Sequence, residues 1–182
     1  VMADAFGSRG LRRTPHWQEM QDAGIHLVAS LRINTRWILP IGRRVDLRDH
    51  RKIIVVDGRL TWCGSQNAAD AAFRIKPKFA PWVDTMARFA GPVAAQMDHL
   101  FASSWTAETG EDLALLPAQQ PQPAGTTRAI VVGTGPTARR HAMSEIFVAL
   151  IYSAQRELIL TTPYFVPDDG MMDALRACAR RG

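Results

Sequence analysis

Strand-like and helix-like stretches alternate along this chain, break off at Pro117–Gly125 ("PAQQPQPAG"), and then begin again. Val1–Ala5 reads as the tail of a strand, His16–Asp22 as a helix and Ile25–Ile33 as a second strand. Ile53–Val56 and Leu60–Cys63 flank Asp57-Gly58, a tight-turn dipeptide, and so read as a hairpin. Trp82–Ala90 reads as a further strand, closed by Gly91-Pro92. Beyond it Val93, Met97, Leu100, Phe101 and Trp105 recur at helical spacing, a stripe suited to a core, with Pro92 fit for a first turn.

After the Pro/Gln stretch, Ala129–Val132 and Glu157–Thr162 read as strands. Met143, Ile146, Phe147, Leu150 and Ile151 mark one amphipathic helix, and Met171–Arg181 a second, with Gly182 placed as its C′ residue. This alternation implies an α/β fold, a sheet flanked by helices. Two lobes are expected: residues 1–116 as the later part of the first, 117–127 as a linker, and 128–182 as the start of the second.

With 182 residues, 47% hydrophobic and 21% charged, the chain can bury a core of its own. No run approaches the roughly 18 apolar residues of a membrane span. Cys63 and Cys178 stand far apart, outside metal-ligand spacing, and read as thiols in a reduced setting facing the cytoplasm. The net charge of +5 is unevenly placed: residues 1–79 hold 14 Lys and Arg against 7 Asp and Glu, and residues 80–182 hold 8 against 10. Arg32, Arg36, Arg43, Arg44, Arg48, Arg51, Lys52, Arg59, Arg74, Lys76 and Lys78 make up most of the excess. Such a patch suits an anionic partner: a phosphate, a lipid headgroup or a nucleic acid. Trp37, among these cations, is the candidate interfacial anchor, whereas Trp105 is expected in the core.

The chemistry is concentrated at the ends of the hairpin. His50 and Lys52 are two residues apart, the spacing that puts side chains on one face of a strand, and Ser65 and Asn67 repeat it after the return strand. A hairpin turning at Gly58 can set the two pairs side by side. One nucleophile or base, one fixed cation and neutral hydrogen-bond donors then converge, without the second carboxylate or imidazole of a metal site. A neutral imidazole can attack phosphorus, while an ammonium and an amide hold the non-bridging oxygens. Asp57 has the wrong parity to join the pair, which leaves it a supporting role.

His50, Lys52, Asp57, Gly64, Ser65 and Asn67 fit H-x-K-x4-D-x6-G-S-x-N, six fixed positions that match by chance on the order of once in 10^8 starts. This stretch resembles the signature of the phospholipase D superfamily. "DLRDHRKIIVVDGRLTWCGSQN", "PWVDTMARFAGPV", "FASSWTAETGE" and "LTTPYFVPDDGMMDALRACARRG" are similar to its bacterial cardiolipin synthase branch. The resemblance implies a mixed sheet flanked by helices and two lobes that each supply one motif to a shared site. It implies that His50 is a nucleophile candidate, that Lys52, Ser65 and Asn67 bind substrate phosphate, and that Asp57 supports them. It further implies transfer of a phosphatidyl group between two phosphatidylglycerol molecules at an anionic membrane surface, the bacterial inner membrane, with no cofactor or metal.

His16, His26, His99 and His141 each lack a lysine two residues on, so the chain carries one motif, and the second is expected from beyond Gly182 or from another chain. Half a site implies an inactive isolated chain. Two other readings compete. One is a phosphodiesterase, either a phospholipase D-type hydrolase or a nuclease-like enzyme made of two one-motif chains, with nucleic acid the less favoured partner. The other is a non-catalytic segment that binds anionic lipid.

Overall fold

Two parallel strands cannot be joined by a tight turn, and the first 31 residues meet that requirement with a crossover helix. The computed structural model describes residues 1–31, 48–69, 83–113, 122–135, 141–162 and 164–181, divided into two units, Val1–Val132 and Gly133–Gly182. In the first unit β1 (Met2–Asp4) pairs in parallel with β2 (Val28–Ser30), Met2 opposite Val28 and Asp4 opposite Ser30. Between them lie a single 3-10 turn (Leu11–Arg13) and helix α1 (Pro15–Asp22), whose first position is the proline that can spare its N–H. The second strand ends where Leu31 turns into the left-handed region at φ +53°, its N–H donating to Glu108 Oε1 at 2.7 Å. The strand expected over Ile25–Ile33 is therefore shorter; Arg32, Ile33, Trp37, Arg43 and Arg44 lie outside the described residues.

Three antiparallel strands follow in the order β3 (Ile53–Val56), β4 (Leu60–Gly64), β5 (Met86–Ala90). Their register runs from Ile53 opposite Cys63 to Val56 opposite Leu60, and from Leu60 opposite Ala90 to Gly64 opposite Met86. Helix α2 (Pro92–Thr109) packs on β2, β3, β4 and β5 and carries the core of this unit. Trp105 is 4% exposed and Met97 6%, and the small residues Ala94 and Ala102 let the helix approach the strands closely. Burying a side chain the size of Met contributes about 1.5–3 kcal/mol. Phe101 lies 6.0 Å from Trp105, centroid to centroid, so the stripe read from the sequence is the buried face. Gly110 stops the helix at φ +76°, its N–H bonded to Thr106 O at 2.8 Å.

In the second unit α3 (Ala142–Ser153) packs against α4 (Asp169–Arg181) around Ile151 and Ala174. Asp168 caps α4: its Oδ1 accepts the N–H of Met171 at 2.9 Å and its carbonyl that of Met172 at 3.0 Å. Arg181 closes the far end, its guanidinium donating to Tyr152 O and Ala154 O at 3.2 and 3.4 Å. Those carbonyls belong to the unsatisfied last turn of α3.

The α/β class holds, with parallel and antiparallel pairing and helices against the strands. Among the described residues the two senses occupy separate ladders rather than one mixed sheet. The strands expected at Ala129–Val132 and Glu157–Thr162 are not formed there. An apolar run becomes a strand only when a neighbour takes its backbone groups. Ile130 and Ile159 instead stand 78% and 79% exposed, and Val131 N–H bonds a side chain, Gln96 Oε1, at 2.9 Å. Among the described residues no helix is long and apolar enough to cross a membrane.

Candidate active site

The hairpin that carries the motif is pinned at its turn. Asp57 and Gly58 both have positive φ, +53° and +62°, the signs of a type I′ turn, and Arg59 N–H closes it on Val56 O at 3.0 Å. Ordered pairing ends at Ile53–Cys63. His50 and Lys52 precede that pair and Ser65 and Asn67 follow it, so all four belong to the end of the hairpin away from the turn. Asp57 sits at the turn, roughly 15 Å from Lys52 at the usual rise per residue of a strand. Its contribution is to the turn, where Asp tolerates a left-handed backbone.

His50 and Lys52 lie just before β3 rather than within it. Asp49 and Arg51 form a clamp toward α2. Arg51 Nε reaches Asp49 Oδ1 at 2.9 Å, its Nη2 reaches Oδ2 at 3.0 Å, and its Nη1 donates to Ser104 Oγ at 3.0 Å. Ser104 in turn donates to Leu100 O within the helix. His50 stands exposed to solvent rather than packed in the core. Lys52 Nζ donates to His50 O at 2.7 Å, which ties the cation to the residue two places before it.

The other half of the motif is built on close backbone contact. A Cβ at Gly64 would stand 2.0 Å from Thr85 O and 2.8 Å from Met86 Cα, so only glycine fits between β4 and β5 there. The next residue uses that closeness. Ser65 N–H donates to Thr85 O at 2.9 Å, Thr85 N–H donates back to Ser65 Oγ at 2.9 Å, and Ser65 Oγ donates to Asp84 Oδ1 at 2.8 Å. Asn67 is exposed, and its carbonyl accepts Ala69 N–H at 2.9 Å.

Asp84, Asp49 and Ser104 carry no role in the sequence reading, and Arg51 stands there only as part of the basic patch. Asp84 lies 19 residues from Ser65, and only the pairing of β4 with β5 reveals the contact. The Arg51 clamp had a local signal, an Asp and an Arg two residues apart. A cleft of about 430 Å³ lies elsewhere, lined by residues that include Gln21, His26, Trp105 and Glu111.

An exposed imidazole, a tethered ammonium and an anchored hydroxyl are the groups that phosphoester chemistry uses. No family model matches the chain, and no solved structure does. Proteins named cardiolipin synthase A match it along its whole length: 37% identical in Proteus mirabilis, 36% in Pectobacterium carotovorum and 35% in Serratia proteamaculans. The chain spans about 38% of the length of each of these relatives. From end to end, the chain is thus similar to one segment of proteins named cardiolipin synthase A.

Proposed function

We propose that the protein carrying this chain transfers a phosphatidyl group from one phosphatidylglycerol to another, with His50 as nucleophile. The observation that carries the reading is the placement of His50, Lys52, Ser65 and Asn67 at one end of the β3–β4 hairpin, in a chain similar throughout to cardiolipin synthase A. In the first step an imidazole nitrogen of His50 attacks the phosphorus of phosphatidylglycerol. The bond to the headgroup glycerol breaks, and the departing alkoxide takes a proton from an acid that this motif does not supply. In the second step the terminal hydroxyl of another phosphatidylglycerol passes its proton to the base left when that acid was spent, and attacks the phospho-histidine, whose P–N bond breaks. Cardiolipin forms and His50 is regenerated.

Lys52 and Asn67 are assigned to the non-bridging oxygens, where charge grows in both transition states, and Ser65 assists from its anchored position. Losing one such donor costs about 3 kcal/mol of transition-state stabilisation, roughly a hundredfold in rate. Asp57 supports the site through the hairpin turn. The acid belongs to a second motif outside this sequence. Water and an alcohol compete for the phospho-histidine, and a bilayer favours the alcohol by holding the acceptor near phosphorus and limiting water.

The test is product analysis with the whole protein and bilayers of labelled phosphatidylglycerol. Cardiolipin and free glycerol are expected in equal amounts, with neither formed by the His50→Ala protein. Phosphatidic acid as the main product would make the protein a hydrolase, and unimpaired turnover by His50→Ala would remove His50 from the reaction.

A further inference from the structure

We propose that residues 5–13 form a docking loop for the surface of an anionic phospholipid bilayer, which rests on reading the His50 site as one that takes phospholipid. From Asp4, at the end of β1, the chain winds through consecutive turns. Ser8 N–H donates to Asp4 O at 2.9 Å, Arg9 N–H to Phe6 O at 3.3 Å, Arg12 N–H to Ser8 O at 3.2 Å and Arg13 N–H to Gly10 O at 3.1 Å. The winding keeps two apolar side chains at the surface: Phe6 is 49% exposed and Leu11 42%. Arg9, Arg12 and Arg13 are exposed beside them, and none of the three is in an ion pair among the described residues. No acidic residue falls between Asp4 and Glu19.

The carboxylate of Asp4 is itself occupied, with Gly7 N–H on Oδ1 at 2.6 Å and Asp49 N–H on Oδ2 at 3.1 Å. That second bond fixes the loop's position, because Asp49 is the residue before His50. A further contact reinforces it: the Arg48 guanidinium lies 4.1 Å from the centroid of Phe6, and that of Arg9 lies 5.0 Å away. An aromatic ring with two cations against it, a leucine and two more arginines thus lie on a loop tied at Asp4 to the residue before His50.

This composition fits the boundary between headgroups and acyl chains. There Phe6 and Leu11 leave water while the guanidiniums meet lipid phosphates. A nucleic-acid backbone would use the arginines and gain little from Leu11, so an anionic bilayer is the occupant that uses the whole loop.

Flotation with the full chain and vesicles of phosphatidylglycerol and phosphatidylcholine tests it. The Arg12→Gln/Arg13→Gln pair is expected to bind roughly 25-fold more weakly, about fivefold for each cation near the surface. Phe6→Ala should weaken binding as well, with melting temperatures unchanged in both. The control is Arg128→Gln/Arg156→Gln, which removes the same charge from exposed positions elsewhere and should bind as the parent does. Equal losses for the two pairs would reduce the effect to net charge and overturn the proposal. So would binding to duplex DNA without flotation on anionic vesicles. Flotation involves no turnover, so its outcome is separate from that of phosphatidyl transfer.

Discussion

Gly64→Ala is the smallest change that should damage the site, and its cost follows from one distance. The added Cβ would stand 2.0 Å from Thr85 O and 2.8 Å from Met86 Cα, where ordinary contact begins near 3.4 Å. Both obstacles are backbone, so no side chain can swing away. β4 and β5 must separate by about 1 Å or more at this point, a shift of the overpacking kind that costs about 1–3 kcal/mol. The Ser65 N–H bond to Thr85 O, 2.9 Å in the parent, breaks with it for about 1 kcal/mol more. A total near 3 kcal/mol lowers the melting temperature by roughly 6–12 °C for a protein of this size. Ser65 also loses its place beside Asp84, so activity of the whole protein should fall in samples held well below that transition. Calorimetry and initial rates on the same preparation measure both. A Gly64→Ala protein melting within 2 °C of the parent would refute the close-approach argument, whatever its activity.

Arg51→Met removes the bonds to Asp49 and Ser104 while keeping the length of the side chain. It should lower kcat by about tenfold and the melting temperature by only about 2–4 °C, because a single partly covered ion pair contributes about 1 kcal/mol; an unchanged kcat would show that the clamp does not position His50. The Asp168 carboxyl is held below its ordinary value of 3.8 by the Ser144 side chain first, then by the Met171 N–H and the charge of His141. Its depressed value means that the ionised cap stabilises the fold above pH 4 and ceases to do so as pH falls through the folded value. Asp168→Asn should therefore be less helical than the parent at pH 7, with the gap closing below pH 4, as followed by circular dichroism; a gap independent of pH would contradict the assignment.

Local spacing made the first half of the molecule readable. The Asp-Gly turn, the α2 stripe through Met97 and Trp105, and the extent of the hairpin follow from patterns within a few residues of each other. The motif was read in the same way, from spacing along one hairpin. Ile130 and Ile159 mark where that reading stopped: their runs have strand composition, but a strand needs a partner that composition does not name. Asp84 was hidden differently. Its contact with Ser65 joins the segment just before β5 to the residue just after β4, and one sequence carries no sign of which acid will meet which hydroxyl. Arg51 lay between the two residues that drew attention, and only its bond to Ser104, 53 residues away, reveals the clamp.

The central claim is that a covalent bond forms between phosphorus and His50. The whole protein, mixed with phosphatidylglycerol and quenched in base to preserve phospho-histidine, can be digested and sequenced by mass spectrometry. The account predicts a phosphatidyl adduct on the peptide that contains His50, present while turnover proceeds and absent from the His50→Ala protein. Turnover with an adduct at a different residue, and none at His50, would contradict it.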